Sequence, residues 1–543
     1  MLADKDILYE ELKAHDTRFD GRFFVGVSST KIYCRPVCKA KLPAKKNCAF
    51  FASAAEAESA GYRPCLLCRP DIAPDLSVTD ASKNLAKRTA RMLKDNCASI
   101  NGLGDIAEKL GYTDRHIRRT FEDEYHVTPV QFLQTCRLLL AKSLLTDTDL
   151  SVAAVARAAG FGSTRRFNDL FKQHYRLCPT KLRKKAAGDK RCDGAITLQL
   201  GYRPPYGWDA LLAFFEGRAI VGVETVVRDG GAGIRGGGAG THDAIVDAKS
   251  DAKDGLAGGA YMRTARLSDT NGDTHTGWLR VSNVARKNRI SLTISDSLLP
   301  VLSTVIKRVK RQFDLSSDPD AIYDALCVMN DVRPGLCVKG TRVPGCFDTF
   351  EMACRTVLGQ QITVKAAGTL AARIAERYGT PVETGIDGLN RIFPTAADML
   401  AMGDKIADNL GALGVTSARS RTIRELAKAF CEDGGAGEVG AFGDTAGDAN
   451  GDSAKNNVDK IDFDLPVDPV GEMDKLMALH GIGPWSANYM AMRAMGYTDA
   501  FLETDFGVKK ALPECATPKE RLALSEAWRP WRSYATVNLW NSL

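Results

Sequence analysis

The sequence predicts a multidomain α+β fold, and three observations carry the prediction. Two close cysteine pairs near the N-terminus mark a small four-cysteine domain, and a duplicated helix-turn-helix pattern marks an all-α domain behind it. Further on, short alternating strands give way to a mostly helical region with a glycine hairpin between two helices. A small α/β domain therefore precedes a mostly α helix-hairpin-helix domain. At 543 residues and 44% hydrophobic content, the chain has material for several cores. The boundaries read from pattern and composition are 1–78, 80–187, 195–315 and 316–543.

The first element is YCRPVCKAK, which sets Cys34 and Cys38 three residues apart beside Arg35, Lys39 and Lys41. GYRPCLLCRPD adds Cys65 and Cys68, after a 26-residue gap, between Arg63 and Arg69. Four thiolates at these spacings can close a tetrahedral site, and soft sulfur ligands select zinc or an iron-sulfur cluster. Disulfides are the alternative. The opening MLADKDILYE has no apolar leader and no stretch is long enough for a membrane span, so a reducing, cytoplasmic setting is expected. One zinc ion is therefore favoured. The other eleven cysteines are scattered singly and read as small buried apolar residues.

Charge is unevenly placed. Residues 1–192 hold 34 Lys and Arg against 22 Asp and Glu, whereas the remainder is acidic, with 39 against 44. A basic N-terminal third predicts a polyanionic partner. Two segments rich in Gly, Asp and Ala, 228–260 and 432–460, cannot bury enough apolar surface to fold and read as flexible insertions. A shorter basic link spans 184–194.

Between the cysteines and that link, DIAEKLGYTDRHIRRTFEDEYHVTP (105–129) is echoed by SVAAVARAAGFGSTRRFNDLFKQHYRLCP (151–179). In each, a short amphipathic helix ends at Gly plus an aromatic, and Thr or Ser then caps a second, Arg-bearing helix. Arg115, Arg118 and Arg119 in one unit, and Arg165 and Arg166 in the other, suit a helix laid in the major groove. A packing module without DNA is the alternative for either unit alone.

This doublet resembles the DNA-binding domain of AraC-type activators. Together with the FDGRFFVGVSSTKIYCRPVC…GYRPCLLCRPD segment, it resembles the N-terminal half of the Ada family over about residues 1–185. The resemblance implies that Cys34, Cys38, Cys65 and Cys68 hold zinc and that Cys34 irreversibly accepts a methyl group from a methylated DNA phosphotriester. It also implies an activator that binds promoter DNA, with RNA polymerase as a candidate further partner, in a bacterial, nucleoid-associated setting. Four thiolates on zinc carry a net charge of −2, and methylating one relieves repulsion from the phosphate backbone. A closed, purely structural site is the alternative. The Pro-Cys-His-Arg site of the family's other half is missing.

In the C-terminal half, strands are expected at 279–282 and 289–295, with helices near 208–217 and 298–313. DKLMALHGIGPWSANYMAMRAMG (474–496) places Gly481 and Gly483 in a hairpin, with a second helix entered at Pro484. Backbone N–H groups exposed there suit a phosphate oxygen, and a helix-helix turn with no ligand is the alternative for the G-x-G taken alone. Twenty-two residues past Gly483 comes Asp505. Here the chain resembles the helix-hairpin-helix glycosylases, and closely the AlkA type, over nearly all of 196–543 outside the two insertions.

That resemblance implies that Asp505 is catalytic and that Trp485, Tyr489, Trp540 and Phe214 line an electron-rich pocket for a flipped cationic base. A simple helix cap is the other role open to Asp505. Relatives that also cleave the strand carry a lysine where Trp485 stands, so base removal without lyase activity is expected. The four cysteines that bind an iron-sulfur cluster in some relatives are missing from the C-terminal helix. Gln361 stands where the AlkA type inserts a leucine wedge, which puts abasic-site affinity in question.

The expectation is a monomeric protein acting on alkylated duplex DNA. It would be a monofunctional alkylbase N-glycosylase of the 3-methyladenine type joined to a zinc-dependent, stoichiometric methylphosphotriester acceptor that activates transcription. The competing reading is a DNA-binding regulator with a structural zinc site and a non-catalytic glycosylase-like half.

Overall fold

The computed structural model describes residues 5–73, 85–100, 102–186, 194–228, 259–269, 271–431, 461–464, 466 and 468–543. Apart from their edges, the expected insertions at 228–260 and 432–460, and much of the basic link, lie outside the described residues.

The N-terminal unit is a four-stranded sheet in the order β3-β1-β2-β4, built from Phe24–Val27 (β1), Ile32–Cys34 (β2), Cys48–Phe51 (β3) and Arg63–Pro64 (β4). β2 and β4 pair in parallel, with Ile32 opposite Arg63 and Tyr33 opposite Pro64. The next residue on each strand is a cysteine, so this register brings Cys34 and Cys65 side by side. The Cys65 N–H donates to the Tyr33 carbonyl at 2.9 Å and fixes the second loop.

Both helix-turn-helix units form as their caps predict. Thr113 caps Asp114–Tyr125 and Ser163 caps Thr164–Tyr175, each accepting an N–H from three residues on. Gly160, at φ +82°, closes the first helix of the second unit, and a Cβ there would meet Ala98 Cα at 2.6 Å. Pro129 and Pro179 then open the following helices, where the missing N–H does no harm. The 19-residue helix Pro129–Asp147 is the scaffold that joins the units.

That scaffold helix also grips the N-terminal unit. Glu58, buried, accepts from the Tyr33 hydroxyl at 3.0 Å and the Thr135 hydroxyl at 3.1 Å. Asp71 is buried between Lys142 and Arg69, and Arg69 reaches on to Asp147. Burial alone would raise the Asp71 carboxyl, but Lys142 and Arg69 outweigh it and hold it well below the usual carboxylate range. The stability it contributes is therefore present above about pH 4 and lost as acid protonates it. Lys142→Met leaves a buried carboxylate with one partner fewer. It is expected to cost about 3 kcal/mol in urea denaturation at pH 7, and less as the pH falls below about 4.

The third unit is an antiparallel five-stranded sheet in the order β5-β9-β8-β7-β6. Its strands are Ala195–Gly201 (β5), Glu224–Val227 (β6), Ala260–Ser268 (β7), Thr274–Val284 (β8) and Arg289–Ser295 (β9). Ile196, Leu198 and Leu200 alternate inward onto Trp208, Leu211, Leu212 and Phe215 of the helix Trp208–Glu216. β8 runs longer than the expected 279–282 because it pairs along the whole of its hairpin partner β7. The helix expected at 298–313 is a 3₁₀ segment, Asp296–Val301, followed by Leu302–Gln312. The remaining unit is mostly helical around one apolar core.

No described helix is long and apolar enough to cross a membrane. One reading of the cysteines needs correction. Cys97, Cys337, Cys346 and Cys354 are buried, but Cys327, at a helix C-cap, is exposed, and Cys48, Cys136, Cys178, Cys431 and Cys515 are only half-buried. Cys192 lies outside the described residues.

Candidate metal centre and candidate active site

The sulfur atoms of Cys34, Cys38, Cys65 and Cys68 all lie within 4.8 Å of one another, and all four residues are buried. A tetrahedral zinc-thiolate centre needs sulfurs about 3.8 Å apart, so the donor set fits one zinc ion. Thiols this close share their protons. The Cys34 thiol, donating to the Cys38 sulfur, is pushed up, while accepting that hydrogen bond brings Cys38 down to about 7. A divalent cation would displace those protons.

Two of the arginines beside the cysteines, Arg35 and Arg69, are turned inward, whereas Arg63 is half-buried. Arg35 is buried, with its Nε on Asp20 Oδ1 at 2.8 Å, its Nη1 on the Cys68 carbonyl at 3.1 Å and its backbone N–H on Cys68 Sγ at 3.4 Å. It thereby ties the first cysteine loop to the second. Arg69 is held in the left-handed region, at φ +54°, by Asp71 and Asp147. Lys39 and Lys41 are exposed.

On the helix-turn-helix units, Arg115, Arg119, Arg165 and Arg166 are exposed. Arg118 is exposed too, but it is bound at both ends of its fork to Asp114, at 3.0 Å each.

In the C-terminal half, Asp505 caps the helix Phe506–Ala511 by accepting the Val508 N–H at 3.1 Å on Oδ1. The same oxygen accepts the Trp540 indole N–H at 2.9 Å, and Oδ2 accepts that of Trp485 at 3.2 Å. A carboxylate has about four lone-pair sites. Three are occupied, and the open one lies on Oδ2 beside the aromatic cluster. Trp485 stacks on Tyr489 at 5.1 Å, Phe214 stacks on Trp540 at 6.0 Å, and Tyr489 lies 6.3 Å from Trp540. The structure thus brings together Asp505 and the four aromatics expected from the sequence.

Three members of this site were not foreseen. The Arg218 guanidinium lies 3.7 Å over the Phe214 ring, and Arg493 donates to the Tyr489 hydroxyl at 2.8 Å. Burial would raise the Tyr489 phenol, but Arg493 and Arg218 outweigh it and lower it. Arg493 sits four residues after Tyr489 on one helix, a spacing that could have revealed it. Gln360 was not foreseen either. Its Nε2 donates to the Gly481 carbonyl at 2.9 Å and to Ser486 Oγ at 3.0 Å, which binds the turn before Val364–Tyr378 to the hairpin. Gln361, exposed at φ +56°, is the tip of that turn.

The hairpin joins Pro469–Ala478 to Pro484–Arg493. Gly481 turns at φ +81°, and a Cβ there would meet Thr422 Oγ1 at 2.2 Å, so no larger residue fits. Gly483 opens the second helix with no side chain capping it. The first-turn N–H groups are left to an outside acceptor.

Four family models match: the metal binding domain of Ada over residues 8–71, a helix-turn-helix domain over 106–185, the AlkA N-terminal domain over 197–348, and the HhH-GPD superfamily base excision DNA repair protein over 354–532. The chain is 32% identical, over its full length and 97% of the relative's, to a probable bifunctional transcriptional activator/DNA repair enzyme AlkA of Mycobacterium tuberculosis. It is 29% identical to DNA-3-methyladenine glycosylase 2 of Escherichia coli, over 63% of this chain and 95% of that protein. It is also 28% identical to the bifunctional transcriptional activator/DNA repair enzyme AdaA of Bacillus subtilis, over 36% of this chain and 89% of that one. With the thiol cluster, the paired helix-turn-helix units and the hairpin site in one chain, this protein belongs to the family of the bifunctional transcriptional activator/DNA repair enzyme AlkA, in which Ada-type and AlkA-type halves are fused.

Proposed function

We propose that the C-terminal half hydrolyses the N-glycosidic bond of alkylated bases of the 3-methyladenine type in duplex DNA, and that the N-terminal half senses methyl phosphotriesters and activates transcription. The observation that carries the first part is the Asp505 carboxylate, held by two indoles with one lone pair open beside stacked aromatics. An alkylated purine is cationic and already a good leaving group. What remains is to stabilise the positive sugar and to position water, and a carboxylate does both. Trp485, Tyr489 and Trp540 offer π-faces to the flipped base, with Phe214, stacked on Trp540 and covered by the Arg218 guanidinium, behind them, and the Gly481–Gly483 hairpin holds a phosphate without reading sequence. Capping and catalysis coexist at Asp505, because the cap uses Oδ1 and Trp485 takes only one of the two lone pairs of Oδ2.

In the N-terminal half, Cys34, Cys38, Cys65 and Cys68 would hold zinc, which keeps their sulfurs deprotonated and electron-rich at neutral pH. The Cys34 sulfur attacks the methyl carbon of a phosphotriester. An S–C bond forms, the C–O bond breaks, and its electron pair stays on the phosphate oxygen. The four exposed arginines, with Arg118 on Asp114, would carry the helix-turn-helix units onto promoter DNA.

The test is release of 3-methyladenine from methylated duplex DNA by the full chain, followed by chromatography, with strands staying intact until alkali is added. Absence of base release would replace this reading with a regulator whose C-terminal half only binds DNA. Trp485→Lys puts a lysine where strand-cleaving relatives carry theirs. It removes an indole donor from Asp505 and part of the stack, so base release is expected to fall about tenfold or more, with no strand cleavage gained. Strand breaks without alkali would overturn that expectation.

A further inference from the structure

Of the cations beside the four cysteines, two arginines are already engaged. Arg35 is 7% exposed and bound to Asp20, and Arg69 is bound to Asp71 and Asp147. What the loop between the second pair of ligands shows to solvent is apolar. Leu66 is 41% exposed and Leu67 66%, although the residues on either side of them, Cys65 and Cys68, are buried with sulfurs within 4.8 Å of that of Cys34. Neither leucine belongs to the packed cluster of Leu12, Val25 and the four cysteines. Two large aliphatic side chains thus stand out of a loop whose ends are fixed at the reacting sulfur.

We propose that Leu66 and Leu67 form an apolar lip to the Cys34 centre. The lip receives the methylated edge of the DNA backbone and makes the centre selective for neutral phosphotriesters over anionic phosphodiesters. This rests on the reading that Cys34 takes methyl from a phosphotriester, and it names what that site discriminates. Methylation removes the charge of a phosphate and adds an apolar group. Such a triester, with its flanking deoxyribose, buries against leucine at little cost. An ordinary diester in the same place loses water from a full negative charge and gains no donor, which is strongly unfavourable. Basic side chains at these two positions would attract every phosphate of the duplex alike, and the rare triester would compete with all of them. Exposed Lys39 and Lys41 hold the strand in general, and the lip decides which phosphate reaches the sulfur.

The test uses the zinc-loaded full chain and two methyl donors: a duplex oligonucleotide with a single methyl phosphotriester, and methyl iodide, which needs no DNA contact. The double variant Leu66→Ala/Leu67→Ala is expected to take methyl from the oligonucleotide about tenfold more slowly, with its methyl iodide rate and zinc content unchanged. In Leu66→Lys/Leu67→Lys, the same duplex without the methyl group is expected to become at least about a tenfold better competitor, with a steeper salt dependence of its binding by fluorescence anisotropy. Equal slowing with both donors, or loss of zinc in the alanine variant, would show that the leucines only support the fold and would overturn the proposal. Unchanged uptake from the oligonucleotide would overturn it as well. Wild-type protein that reacts with methyl iodide at Cys34 but takes nothing from the phosphotriester would instead defeat the underlying reading, and the lip with it.

Discussion

Asp505→Asn is expected to release alkylated bases about 10³-fold more slowly than wild type while binding methylated duplex with similar affinity. Asparagine keeps the shape and removes the charge that would face the developing positive sugar. It also changes the hydrogen-bond count. Three donors converge on Asp505: the Val508 N–H and the Trp540 indole on one oxygen, and the Trp485 indole on the other. The amide has a single acceptor oxygen, so one donor must face its NH₂ group. The natural orientation keeps the cap and Trp540 and abandons Trp485, at a stability cost of about 1 kcal/mol. This consequence separates a catalytic carboxylate from a mere cap. Adding Trp485→Phe removes the abandoned donor and is expected to restore stability, as read by thermal unfolding, without restoring base release. If Asp505→Asn released bases as fast as wild type, or if the double variant recovered the rate along with stability, the carboxylate would be structural. Binding to undamaged duplex is the control, because the hairpin at Gly481–Gly483 lies outside this change.

Cys34→Ser is expected to abolish methyl uptake from phosphotriester DNA, and peptide mass mapping of wild type after exposure is expected to place one added methyl group on Cys34. Because Cys34 is itself one of the four sulfur donors, Cys34→Ser and Cys65→Ser are both expected to lose more than methyl uptake. A four-thiolate zinc site contributes about 10 kcal/mol or more to folding in small domains, so a missing ligand unfolds the cysteine domain and releases the metal. Elemental analysis should find one zinc per wild-type chain and far less in Cys65→Ser. Methylation of Cys34 turns one thiolate into a neutral thioether and takes the cluster from −2 to −1. Promoter affinity is expected to rise and to remain salt-dependent. A methyl group on Cys38, Cys65 or Cys68 would move the acceptor, and none at all would leave a structural centre.

The units of the fold were legible because their signals are local. Cysteine spacing, the cap residues Thr113 and Ser163, the alternation of Ile196, Leu198 and Leu200, and the glycines of the hairpin each act within a few residues of where they stand. Asp505 and its four aromatics were legible by resemblance and not by spacing. Phe214 lies more than 300 residues from Trp540 in the chain, yet the two rings stack.

By itself, then, the sequence determined the four-thiol donor set and the duplicated helix-turn-helix units. Only the tertiary structure decided which charges remain free to meet DNA. Arg35 and Arg69 stand beside the cysteine pairs in the sequence like free charges, but each is consumed by carboxylates, Asp20 for one and Asp71 with Asp147 for the other. Trp485 and Trp540 were expected only as π-faces, and they prove to be donors that hold Asp505. Gln360 fastens the turn that carries Gln361 to a hairpin 121 residues away. The reason is physical: spacing along the chain fixes which side chains share a helix face or a loop, but the partner that neutralises an arginine or orients a carboxylate is chosen by packing between distant segments.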